Sequence, residues 1–81
     1  MTRTLGQDRC NMGINPTDSA TVKAVRRRLA EVIDMLHRLP QADGETMRCR
    51  SIAMTEIEGA NHWAVKAVAM AERAATAPES A

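Results

Sequence analysis

With 81 residues, the chain is long enough for one small domain, and a chain this short buries only roughly 60% of the surface its unfolded form exposes. Eleven Lys and Arg balance ten Asp and Glu, and there is one Trp and no Tyr or Phe. That charge of +1 argues against a general duplex-DNA binder, and the missing aromatics argue against a stacking platform for single strands.

Residues 1–16 show no sustained period and contain Gly6, Gly13 and Pro16, which suits an arm or one short helical turn. The polar stretch MTRTLGQDRCNMGINP has no apolar signal core, and no apolar run approaches the ~20 residues that span a bilayer. A soluble, intracellular protein is expected. Cys10 and Cys49 are far apart and lack metal-ligand spacing, so neither a zinc site nor a disulfide framework is indicated.

Pro16, Thr17, Asp18 and Ser19 supply a run of helix-start residues. Val22, Val25, Leu29, Val32, Leu36 and Leu39 then alternate spacings of three and four, predicting an amphipathic helix of about 33 Å. Pro40 ends it, and QADGE forms a short loop through Asp43-Gly44. A second helix, beginning between Glu45 and Arg48 and running to about Ala75, would exceed 40 Å. Its seam is Ala53, Ile57, Ala60, Ala64, Ala67, Ala71 and Ala74, small enough for helix axes to approach within ~8–10 Å. Ile52, Met54, Trp63, Val65, Val68 and Met70 lie off that seam, so one partner helix cannot cover all the apolar surface.

The expected fold is all-α: an antiparallel hairpin over 17–76 after a short N-terminal arm or helix (1–16), with a frayed tail at 77–81. Its uncovered faces predict more than one subunit.

Arg48, Ser51, Thr55, Glu58 and His62 share one face of the second helix. Arginines near a helix N-terminus are unfavourable by roughly 0.3–1 kcal/mol each unless an anion or carboxylate compensates. Free N–H groups, an Arg fork and two hydroxyls make a plausible phosphodiester cradle. The alternative is a solvated face in which Arg48 pairs with Glu45. Of Arg26, Arg27 and Arg28, at most two can face one ligand, because successive residues fan ~100° apart. Trp63 suits an interface anchor or a base-stacking surface. His37 and His62 stand alone, and no nucleophile–base pair, P-loop or metal motif is present, so an enzyme is not expected.

The second helix resembles that of phage-encoded cyclic-nucleotide sponges that block the CBASS defence system. The resemblance rests on Arg48, Ser51, Ile52, Thr55, Glu56 and Ile57, then Lys66-Ala67-Val68-Ala69. Ser51-Ile52-Ala53-Met54-Thr55, Ile57, Glu58, Ala60 and Trp63-Ala64 are similar to the hairpin of phage anti-Thoeris sponges.

The resemblance implies interlocked dimers assembling into a homohexamer. It also implies sequestration, without cleavage or a cofactor, of cyclic di- or trinucleotides in the host bacterial cytoplasm. Arg48, Ser51 and Thr55 would meet phosphates, joined by Arg26, Arg27 or Arg28 from the first helix. The anti-CBASS sponges place an aromatic residue ahead of the first helix. Met12, Ile14 or Leu5 would have to supply an apolar lid here. The alternative reading is a structural or protein-binding helical oligomerisation module.

Overall fold

Helix formation here follows from capping chemistry that can be read residue by residue. In a computed structural model, which describes residues 2–10 and 19–76, three helices follow one another: α1 (Leu5–Arg9), α2 (Ala20–His37) and α3 (Gly44–Thr76). Thr4 and Gln7 close a capping box at α1, with Gln7 N–H donating to Thr4 Oγ1 at 3.0 Å and Thr4 N–H to Gln7 Oε1 at 2.9 Å. Ser19 caps α2 by accepting from Val22 N–H at 3.1 Å. The helix stops at His37, short of the expected Leu39, because Pro40 disfavours helical backbone in the residue before it.

Asp43 starts α3, accepting from Thr46 N–H at 2.9 Å through its carboxylate. The helix therefore begins at Gly44, earlier than the sequence pattern suggests.

α2 and α3 form the antiparallel hairpin, and α1 lies against α2. At 1.5 Å per residue, the 18 residues of α2 span about 27 Å and the 33 of α3 about 50 Å. α2 is thus shorter than its hydrophobic pattern suggests, and α3 projects well past it. The molecule measures 60 × 29 × 13 Å, a layer barely one helix thick. Among the described residues, no helix is long and apolar enough to cross a membrane.

The core gathers Cys10 of α1's end, Ala30 and Ile33 of α2 and Met54 of α3, with Leu5, Leu29, Leu36 and Ile57 packed around them. Both long helices are turned relative to their expected seams. On α2 the buried residues are Val22, Arg26, Ala30 and Ile33, while Val32 of the heptad seam is exposed. On α3 the inward face runs through Met54, Ile57 and Asn61, leaving Ala60, Ala67, Ala71 and Ala74 exposed. At 100° per residue the rotation is about 80° for each helix. The cause is α1: α2 serves two neighbours, so its buried arc is centred between them, and α3 turns Asn61 toward the end of α1.

Gly6 decides how closely α1 can lie. It is buried, its N–H donates to Asp34 Oδ1 at 2.7 Å, and a Cβ built on it would strike the Ala30 carbonyl and come within 2.9 Å of Ala30 Cα. A glycine inside a helix is otherwise unfavourable by roughly 0.5–1 kcal/mol, so close packing is its physical justification. At the other end of α1, Asn61 Nδ2 donates to the Cys10 carbonyl at 3.5 Å, a long bond, and Asn61 Oδ1 is buried with no hydrogen-bond partner among the described residues.

Gly6→Ala is expected to lower stability by about 1–3 kcal/mol, the usual cost of overpacking. A lower urea midpoint, with faster labelling of the Cys10 thiol in a Cys49→Ser background, checks this. An unchanged midpoint would show that α1 does not dock as described.

Candidate functional site

The outward face of α3 carries the polar stripe. Arg48, Ser51, Thr55 and His62 are exposed, and Glu58 is half-buried where α1 approaches. Spacings of three and four keep all five on one face, with Arg48 and Thr55 about 10 Å apart along the axis.

Because α3 starts at Gly44, Arg48 and Arg50 fall in its second turn. The helix terminus is occupied by the Asp43 carboxylate, with Glu45 in the first turn. This corrects the argument from arginines at an uncompensated N-terminus: Asp43 and Glu45 already satisfy the dipole. Arg48 forks onto Glu45, with Nε and one terminal nitrogen each 3.2 Å from a carboxylate oxygen. Both side chains are about two-thirds exposed. Such a pair contributes about 0.2–1 kcal/mol, so releasing Arg48 from Glu45 costs little.

Arg50 is not part of the stripe. It reaches across the hairpin to the His37 carbonyl at 3.4 Å, where a cation suits the C-terminal end of α2.

The first-helix arginines separate. Arg26 is only 8% exposed and lies on α2's inward face near Cys10, whereas Arg27 is exposed. The stripe brings together Arg48, Ser51 and Thr55; Arg26 belongs to the packed interior between the helices. Trp63 is 72% exposed, with Lys66 Nζ 5.4 Å from its ring centroid. It sits roughly 12 Å past Thr55 along α3, beside the stripe. Leu5 packs against the core, which removes it from the candidate lid residues. Met12 and Ile14 lie outside the described residues.

Sequence reasoning missed Arg9, whose Nε stands 3.9 Å from Glu58 Oε2. The only sequence signal was the neighbouring Cys10, an apolar position ending a short capped turn. The contact joins residues 49 apart, beyond the reach of local pattern.

The two thiols differ. Cys49 is exposed, its Sγ 3.8 Å from Glu45 Oε1. Burial pushes the Cys10 thiol up from its ordinary value, aided by the charges of Glu58 and Asp34 and opposed by Arg26. Cys10 is therefore a packed, protonated thiol at neutral pH. No cluster of three or more metal-ligating side chains occurs among the described residues.

The profile of the Acb2/Tad1 hairpin domain matches residues 8–69, more than half of the chain. The chain belongs to that family. The match spans the end of α1, all of α2 and most of α3, so the Acb2/Tad1 hairpin includes both the stripe and the contact of α1 with it. Searches of characterised proteins and of solved structures return no match.

Hydrogen bonds from Thr46 hold the Asp43 carboxyl below its ordinary 3.8. A carboxyl lowered on folding adds stability that is complete above its unfolded value and lost as pH falls through its folded one. In this Acb2/Tad1 hairpin, the urea midpoint should therefore drop as pH falls from about 5 toward 3. Asp43→Asn should retain the cap and flatten that part of the profile. An identical pH profile in wild type and Asp43→Asn would remove Asp43 as a contributor.

Proposed function

We propose that the chain is a phage immune-evasion sponge that binds cyclic di- or trinucleotides and sequesters them without turnover. Membership of the Acb2/Tad1 hairpin family carries this reading. The exposed row of Arg48, Ser51 and Thr55 on α3 supports it. Arg48 exchanges its exposed Glu45 partner for a phosphate, and the two hydroxyls donate one and two turns further on. Arg27 and Trp63 reach solvent and are available for a second phosphate and for base stacking. No chemistry on the ligand is required. Lowering the free concentration of an immune signal needs only abundance and tight binding.

The one-layer shape supports assembly into an oligomer, with the hexamer of interlocked dimers as the arrangement the family resemblance implies. Exposed Val32, Met35, Ile52 and Met70 and the open alanine stripe of α3 form apolar faces that a second subunit would cover. Enclosing phosphates between subunits also strengthens their attraction to arginine by excluding water. The site of action would be the host cytoplasm. The same faces favour a second reading, a structural or protein-binding helical module, in which Arg48 has no ligand to hold.

Calorimetry against a panel of cyclic di- and trinucleotides separates the readings. The sponge reading expects binding, and Arg48→Ala should weaken it by about ten- to a hundredfold, the usual worth of a hydrogen bond to a charged group. Size-exclusion chromatography should show the oligomer unchanged. No heat with any member, well above micromolar, overturns the sponge; unchanged affinity in Arg48→Ala overturns the cradle.

A further inference from the structure

The polar stripe contains a charge of the wrong sign. Glu58 follows Thr55 by three residues, and side chains so spaced stand about 5–6 Å apart at Cβ. A phosphate seated on Ser51 and Thr55 would face that carboxylate across a short, partly solvated gap. Glu58 is half-buried and Arg9 is its ion-pair partner at 3.9 Å, with side chains 40% and 31% exposed. Both therefore reach solvent beside the stripe.

Arg9 arrives there from another helix. It is the last residue of α1, whose place is set by Gly6 against Ala30, by the Gly6 N–H on Asp34 at 2.7 Å, and by Asn61 on the Cys10 carbonyl. Other charged groups near this end of α1 are Asp34 and Arg26 of α2, and His62 lies one turn further along the stripe. Arg26 is buried beneath, whereas Arg9 lies toward the outer surface.

We propose that Arg9 completes the anion-binding stripe from α1, neutralising Glu58 and presenting a guanidinium beside Thr55 to the phosphate of a cyclic nucleotide. The proposal rests on the nucleotide-binding reading of α3 and adds a residue from a different element to it. Its consequence is that docking of α1 and affinity for the anion are coupled. Any change that lifts α1 also uncovers the Glu58 carboxylate.

The test is a double-mutant cycle, read by calorimetry at low salt with a cyclic diadenylate and a cyclic triadenylate as probes. Arg9→Ala should weaken binding by about three- to tenfold, as expected for one charge several ångströms away in a high effective dielectric. Arg9→Lys should retain most of the affinity. Glu58→Gln should bind at least as tightly as wild type, and adding it to Arg9→Ala should recover the part of the loss due to the bare Glu58 carboxylate, leaving the part due to the missing guanidinium.

A pair that merely anchored α1 would give the opposite sign for Glu58→Gln. Weakened binding in that variant therefore overturns the proposal, as does unchanged affinity in Arg9→Ala or failure of the double variant to recover. Cys10 labelling in each variant reports whether α1 stays docked. If wild type binds neither probe, nor any member of the wider panel, the stripe reading itself falls and Arg9's role with it. Wild-type binding that Arg9→Ala leaves intact removes Arg9 alone.

Discussion

The backbone-to-backbone approach of Gly6 to Ala30 is the constraint on which the rest of the arrangement depends. Because neither side chain holds the helices apart, α1 can sit close enough for its second N–H to reach Asp34. α2 must then divide its buried arc between α1 and α3. That division buries Arg26, a residue whose type predicts solvent, and leaves Val32 outside. On α3 it brings Met54 and Asn61 inward and turns the alanine stripe out.

The same docking assembles charges that are distant in sequence. Asp34 receives α1 at one end and Glu58 meets Arg9 at the other, so each long helix contributes one carboxylate to holding a five-residue helix. A helix that short has negligible stability alone; its order comes from these contacts and from Leu5 and Cys10 in the core. The end near α3 is held more loosely. The Asn61 bond is long, and its carbonyl oxygen has no partner among the described residues.

Electrostatics at the hairpin's closed end are locally self-sufficient. Asp43 caps α3, Glu45 pairs with Arg48, and Arg50 answers the carbonyl end of α2. The arginines near the start of α3 are thus no sign of an unmet charge. Their relevance to an anion lies in exposure and alignment with Ser51 and Thr55. A phosphate there is part of the proposed sponge reading, which rests on family membership.

What the sequence determined by itself was local: two amphipathic helices, a run of capping residues from Thr17 to Ser19, the loop through Asp43-Gly44 between them, and the polar face from Arg48 to His62. Each depends on residues within a few positions of one another, where period and capping chemistry act directly. Tertiary structure decided which arc of each helix is buried, the burial of Arg26 apart from Arg27, and the meeting of Arg9 with Glu58. These follow from the seating of α1. That seating depends on two backbones touching across 24 residues of chain, and a glycine's lack of a side chain leaves no periodic signal of where it packs.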